Sequence, residues 1–311
     1  MTMNVEQYNT VAWKEDLRTA LQGFSGALHW DAPIAPFTSL KVGGTADLLL
    51  VPASVSDLAL AMPAISALQL PCFVLGQGSN LIVKDGGIEG VVLHLKHFKH
   101  MERIGNHRLF AQSGAAYPKL ALFAMEQGLS GLEFACGIPG SVGGAVAMNA
   151  GIPNAETAEV LESITLVAPS GHCLDLPARD LGFSYRRTQL PEGIVVDATF
   201  VLHPSAREII EHNMKHLLKR RQITQPLQKP NCGSVFKNPP GHHAGALIEA
   251  AGLKGFHVGD AQISERHANF IINLGRAQAA DCLALINKIQ DTVRQKQGIA
   301  LELEVKIIGR P

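Results

Sequence analysis

The stretch Gly137-Ile-Pro-Gly-Ser-Val-Gly-Gly-Ala-Val-Ala-Met-Asn-Ala-Gly151 constrains this chain more than any other part of it. Five glycines and mostly small side chains leave little with which to pack a core. Glycine in a regular element costs up to ~1 kcal/mol, so such a concentration calls for a compensating role. Two roles fit: a structural crossover where backbones approach closely, or a cradle whose backbone lies against a large flat ligand and its diphosphate.

A second glycine cluster, Gly76-Gln-Gly-Ser-Asn80, follows the apolar run Cys72-Phe-Val-Leu75. Backbone N–H groups there could approach phosphate oxygens, with Ser79 and Asn80 adding side-chain donors, although a tight strand-to-loop turn reads equally well. The cluster is neither G-x-G-x-x-G nor a Walker loop, so neither of those phosphate-binding fingerprints applies. Taken with Val42-Gly-Gly44, the clusters suggest a cofactor carrying both a diphosphate and a ring system.

Periodicity around the cradles predicts alternating strands and helices in the first third. A polar helix over residues 13–23 precedes a strand at 46–52, a helix opened by Ser54 or Ser56 and running toward Leu70, and a strand at 72–75. Short strands are expected at 81–83, 91–95 and 109–111, then a helix over 118–127 stopped by Gly128. Short strands return over 163–200, a charged helix covers 206–222, and residues 225–230 with two prolines form a bend. The last helix, 277–297, closes on Gly298. After it, Leu301-Glu-Leu-Glu-Val-Lys-Ile307 alternates strictly, predicting a strand with Glu302, Glu304 and Lys306 on one face.

Lys+Arg 27 balance Asp+Glu 27, so no global field draws the chain to nucleic acid or to an anionic membrane. The most apolar stretch, 48–70, is broken by Pro52, Asp57 and Pro63, whereas a spanning helix needs roughly 20 apolar residues, so no membrane insertion is expected. Glu6, Lys14, Glu15, Asp16 and Arg18 occupy the region where a signal peptide needs an unbroken apolar core. The five cysteines include no C-x-x-C pair. A reducing, cytoplasmic setting is the expectation, with no obligate protein partner in view. No metal is expected: His94, His97, His100, His242 and His243 lack an accompanying carboxylate pattern, and zinc needs about four convergent ligands.

Lys41-Val-Gly-Gly44, Leu75-Gly-Gln-Gly-Ser-Asn80, Gly131-Leu-Glu-Phe134, Gly137-Ile-Pro-Gly-Ser-Val-Gly-Gly144, Met148-Asn-Ala-Gly151, Tyr185-Arg186, Gly233-Ser-Val-Phe-Lys-Asn-Pro239 and Glu304-Val-Lys-Ile-Ile-Gly309 occur in order from about residue 37 to 309. Together they closely resemble the UDP-N-acetylenolpyruvoylglucosamine reductases, the MurB family, in its shorter type without an extra tyrosine-bearing loop. The resemblance implies an α+β chain: a two-subdomain FAD-binding fold of the vanillyl-alcohol oxidase (PCMH) type plus a C-terminal α/β substrate-binding domain. The expected division is residues 1–100, 101–205 and 206–311. Implied flavin contacts are Val42, Gly43, Gly44, Gly76, Gln77, Gly78, Ser79, Asn80, Leu81, Gly114, Gly137, Ile138, Pro139, Gly140, Ser141, Val142, Gly143 and Gly144. Thr45 stands where related oxidases commonly carry a flavin-tethering histidine, so the FAD is expected to be non-covalent.

The implied reaction passes hydride from NADPH through FAD to the vinyl carbon of a UDP-sugar enolpyruvyl ether, leaving an enolate beside a carboxylate. A preorganised donor for such charge is worth ~10²- to 10³-fold in rate. By resemblance Arg186 is that donor, Glu304 helps stabilise the enol form, and Ser234 protonates the carbon. Each residue alone reads more plainly: Arg186 as a surface ion-pair residue, Ser234 as a turn serine, Glu304 as the solvated face of a strand. Alternation does not separate Glu302 from Glu304; the family's ending before Val305-Lys306 selects Glu304. Tyr185, Lys237, Asn238 and Arg221 are the implied substrate contacts, with Arg220 and Lys254 as further cations for the diphosphate.

The chain departs from the family pattern at Lys41, where arginine is usual, at Phe37 for asparagine, at Ser184 for glycine, and at Asn231-Cys232 for a small Ser-Ala pair. Cys232 beside Ser234 reads as a small hydrophobe or as an oxidisable thiol. Two other functions stand beside the reductase: an oxygen-using carbohydrate oxidase of the same fold, and a catalytically silent flavin-binding module.

Overall fold

A computed structural model describes residues 5–311, with side chains from residue 12 onward. The chain divides into two compact units that interleave in sequence. One comprises the chain through Trp30, Leu48–Gly76 and Gly90–Arg207; the other comprises Asp31–Asp47, Gln77–Glu89 and Glu208–Pro311.

In the first unit, helix α1 (Val5–Ala20) begins earlier than the polar pattern predicts. Helix α2 (Val55–Ala67) opens at Ser54, whose hydroxyl accepts the Asp57 N–H at 3.2 Å. Asp57 is itself buried and accepts hydrogen bonds from the N–H groups of Ser25 and Ala53. Helix α3 (Tyr117–Glu126) is followed by Gly128 in the left-handed region, φ +66, and helix α4 (Val142–Ala147) lies inside the glycine-rich stretch. Five antiparallel strands run in the order Cys173–Pro177, Leu161–Val167, Ile194–Val201, Arg108–Gln112, Met101–Ile104. A four-stranded sheet has the order Ala27–Pro33, Thr45–Val51, Ile88–His94, Cys72–Leu75, its last pair parallel. Leu48, Leu50, Leu58, Ile65, Val91, Leu93, Val167 and Val196 belong to one buried cluster.

The second unit holds helices α5 (Arg207–Thr224), α6 (Ala244–Ala250) and α7 (Ala279–Gln297). Gln278 and Asp281 form a reciprocal capping box at the start of α7, which ends on Gly298 at φ +73. Asp85 adds to that start, its two carboxylate oxygens accepting from the N–H groups of Ala279 and Ala280 at 2.9 Å each. A three-stranded antiparallel sheet, His257–Val258, Ala261–Ile263 and Ile271–Asn273, packs with α6 and α7 around Ile248, Ile263, Ile271, Leu285, Ile286 and Ile289.

The strand predicted at 301–307 is only partly realised. Leu303 makes an isolated antiparallel bridge with Phe236, the chain bends at Val305, and a strand resumes at Lys306–Ile308, parallel to Leu81–Val83. The bend breaks the alternation: Glu302 is exposed while Glu304 is half-buried.

Candidate active site

Within the second unit, Ser234 follows Gly233, which takes φ +76 and donates its N–H to the Asn231 side chain at 3.0 Å. The residues after Ser234 are tied to the C-terminal segment. The Val235 carbonyl accepts the N–H of Glu304 at 2.9 Å and of Val305 at 3.3 Å, and the Lys237 N–H donates to the Glu302 carbonyl at 2.9 Å. The Asn80 amide donates to the Glu304 carbonyl at 3.1 Å, and the Lys306 N–H returns to the Asn80 carbonyl at 3.1 Å. Three segments distant in sequence, carrying Asn80, Ser234 and Glu304, are thereby held in fixed register.

Gly78 belongs to the same assembly. It takes φ +60, its carbonyl accepts the Ser39 N–H, and a Cβ there would lie 2.4 Å from the Phe37 carbonyl oxygen. Only glycine fits that position without moving backbone.

A cavity of about 290 Å³ opens in this unit, with Ser234, Asn238, His243, Glu249, Arg266 and His267 among its lining residues. Burial holds the His267 imidazole below its ordinary pKa, reinforced by the nearby Lys254 ammonium. The implied substrate contacts have protein partners here. Asn238 accepts the Ala244 N–H at 3.0 Å, Lys237 pairs with the exposed Glu302 carboxylate, and Arg221 donates to the Gln225 side chain. Cys232 is fully buried in the core of the unit, and burial pushes its thiol up to about 12, which favours the small-hydrophobe reading over the oxidisable one.

In the first unit Arg186 sits at the turn of a hairpin, Gly182–Ser184 paired with Arg187–Gln189, in the left-handed region at φ +59. For a non-glycine residue that conformation costs on the order of 1–2 kcal/mol. The guanidinium donates to the Gly151 carbonyl at 2.7 Å and stacks 4.9 Å from the centroid of the exposed Tyr185 ring. Behind it, fully buried Asn149 donates to the Ser184 carbonyl at 3.2 Å and accepts the Ala158 N–H at 3.0 Å, and the Thr188 hydroxyl donates to the Val146 carbonyl. The Met148-Asn-Ala-Gly151 segment therefore anchors the hairpin that presents Arg186.

The glycine-rich stretch lies against residues 113–117. The N–H groups of Val142 and Gly143 donate to the carbonyls of Ala115 and Ser113, and the Gly144 N–H goes to the Ser141 hydroxyl. These donors are engaged inside the protein, so Val142 to Gly144 suit a flavin through close backbone approach and not through N–H donation. A Cβ on Gly143 would lie 2.9 Å from Ser113 Cβ, and one on Gly76 would lie 2.6 Å from Ser141 Oγ. Beside Gly143 and Gly114, the buried Ser113 hydroxyl has no hydrogen-bond partner among the described residues. A close-packed glycine wall with an unsatisfied donor at its edge fits a cofactor carrying acceptor atoms. Among the described residues no group of three or more His, Cys, Asp or Glu converges as a metal site; His94 instead bonds the Leu75 carbonyl at 3.0 Å, and burial lowers its pKa.

Neither Asn149 nor Ser113 was singled out from sequence as a functional residue. Asn149 lies in the motif Met148-Asn-Ala-Gly151, and Ser113 precedes Gly114.

Two family models match: an FAD binding domain over residues 46–177, and a UDP-N-acetylenolpyruvoylglucosamine reductase C-terminal domain over 225–308. The chain is 46% identical over 285 residues to a UDP-N-acetylenolpyruvoylglucosamine reductase of Listeria innocua, covering 91% of this chain and 95% of that protein. It is 43% identical over 297 residues to UDP-N-acetylenolpyruvoylglucosamine reductase 2 of Symbiobacterium thermophilum, covering 95% and 96%. Among solved structures it is similar to the UDP-N-acetylenolpyruvylglucosamine reductase (MurB) of Thermus caldophilus, with a TM-score of 0.79, 37% identity, and 91% and 99% of the two chains covered.

Proposed function

Because this chain belongs to the UDP-N-acetylenolpyruvoylglucosamine reductase family, we propose that Ser234, Arg186 and Glu304 carry its chemistry. The reaction is the NADPH-dependent, FAD-mediated reduction of UDP-N-acetylglucosamine enolpyruvate to UDP-N-acetylmuramate in peptidoglycan precursor synthesis. The oxidase and silent-module readings are not favoured by relatives that carry the reductase name over 91% or more of this chain.

Bound FAD supplies two-electron hydride chemistry. Residues 1–100 and 101–205 are assigned to holding it, chiefly through Gly76 to Asn80 and Gly137 to Gly144, and residues 206–311 to the sugar nucleotide. Arg186 neutralises the charge that develops as the enolpyruvyl group becomes an enolate. A guanidinium fixed by the Gly151 carbonyl and the Tyr185 ring needs little reorganisation for that task. Glu304 is assigned to stabilising the enol form, and the Ser234 hydroxyl to giving its proton to the carbon beside the carboxylate. A weakly acidic hydroxyl can do this because the carbon it faces is strongly basic and its position is fixed. Tyr185, Lys237, Asn238 and Arg221 are assigned to the substrate; Lys237 and Arg221 would exchange Glu302 and Gln225 for diphosphate oxygens. No helix among the described residues is long and apolar enough to cross a membrane, and a cytoplasmic setting is part of this reading.

The observation that carries the assignment is the junction of the Ser234 and Glu304 segments through the Val235 carbonyl. The test is an absorbance titration of the purified holoenzyme. NADPH should bleach the flavin band, the enolpyruvyl sugar nucleotide should restore it without oxygen, and denaturation should release FAD intact. Fast recovery with oxygen and none with the sugar nucleotide would sink the reading.

A further inference from the structure

Before Ser234, the Gly233 N–H is tied to the Asn231 side chain at 3.0 Å. After it, the backbone runs on through Val235 and Phe236. Asn269, 4% exposed, grips both of them. Its carbonyl accepts the Val235 N–H at 2.9 Å, its side-chain oxygen accepts the Phe236 N–H at 2.9 Å, and its side-chain NH₂ donates to the Phe236 carbonyl at 2.7 Å. An amide facing both an N–H and a C=O of one residue has only one orientation that satisfies both. Ser234 and Asn269 also line the same cavity of about 290 Å³, so any shift of this clamp is felt where the hydroxyl faces its substrate.

We propose that Asn269 is a positioning residue for proton transfer by Ser234, locking Val235 and Phe236 so that the hydroxyl is held at one angle to the reacting carbon. The inference rests on the reading of Ser234 as the proton donor. Asn269→Asp keeps the size and the acceptor for the Phe236 N–H but, when ionised, sets a carboxylate against the Phe236 carbonyl. Asn269→Ser removes the paired bonds with less bulk.

The test uses the holoenzyme of each variant, with flavin content and thermal midpoint establishing that it is folded. NADPH-driven bleaching is compared with single-turnover reoxidation by the enolpyruvyl sugar nucleotide in H₂O and D₂O. The expected result is bleaching within about twofold of the parent and reoxidation slower by ~10- to 100-fold, the scale of a small misplacement of reacting groups. The solvent isotope effect on reoxidation should grow, and KM for the sugar nucleotide should stay put while kcat falls. Adding Asn269→Asp to Ser234→Ala should bring no further loss, because the residue acts through a hydroxyl no longer present. Equal losses in both backgrounds, or bleaching that falls in step with reoxidation, would overturn the inference and leave Asn269 a structural amide. Full turnover by Ser234→Ala would remove the proton-donor reading itself. Collapse of Ser234→Ala with unchanged Asn269 variants would remove only the positioning role.

Discussion

Glu304 donates its backbone N–H to the carbonyl of Val235 at 2.9 Å, fixing the carboxylate-bearing segment in register with the residue after Ser234. The same segment turns the neighbouring Glu302 outward, where it meets Lys237. Glu304→Gln is expected to lower kcat by ~10²-fold or more, the loss of an acid–base or charge-stabilising group, with Glu302→Gln within about threefold of the parent. Steady-state NADPH oxidation decides it; comparable losses in the two variants would remove Glu304 from its role.

Ser234→Ala deletes only a hydroxyl from a partly exposed loop, so folding and FAD binding should survive. Rapid-mixing absorbance should show flavin reduction by NADPH at the parent rate and turnover of the sugar nucleotide down by at least ~10²-fold. Unchanged turnover would mean that the carbon is protonated from elsewhere.

At Gly78 an alanine would have to hold φ +60 and clear a carbonyl oxygen 2.4 Å from its Cβ. The strain, of order 1–2 kcal/mol before any backbone shift, should weaken FAD retention by ~10-fold or more. Fluorescence titration of the apoprotein with FAD measures this, and an unchanged affinity would place the flavin away from this turn.

Asn149→Ala strands the Ala158 N–H and the Ser184 carbonyl behind the hairpin that carries Arg186. Thermal or denaturant unfolding should show a loss of ~1–3 kcal/mol. Turnover of the folded fraction should fall as well, because the turn loses the support that sets the Arg186 direction. A stability loss with full turnover would show that Gly151 and Tyr185 suffice to place the guanidinium.

Asp57 gives a pH signature unrelated to catalysis. Burial alone would raise its pKa, but hydrogen bonds from Ser25 and Ala53 outweigh that and hold the carboxyl below its ordinary value of 3.8. A carboxylate depressed on folding stabilises the protein above its unfolded pKa, and the contribution is lost as pH falls through the folded value. Asp57→Asn should therefore cost stability at neutral pH, with the gap to the parent narrowing progressively below about pH 4. Thermal midpoints across that range test this, and a gap independent of pH would sink it.

Much of this chain follows from local rules. Ser54 opens α2, and Gly128 and Gly298 follow the ends of α3 and α7; each signal acts within a turn or two of chain. The ordered motifs also sufficed to identify the flavin fold and the reaction, since short strings that are individually weak become specific in series. The short helix α6 and the three-stranded sheet over 257–273 passed unnoticed, because seven-residue helices and two- or three-residue strands carry too few periods to register.

What tertiary structure alone decided is which polar groups meet. Alternation gave Glu302 and Glu304 the same face, and the bend at Val305 separated them; partners 69 residues away in sequence, joined through the Val235 carbonyl, impose that register. Asn149 and Asn269 look like ordinary asparagines until burial leaves each facing peptide groups 35 and 33 residues away, respectively. Hydrogen bonds across such separations depend on where the packed core places the backbone, and no window along the sequence contains that information.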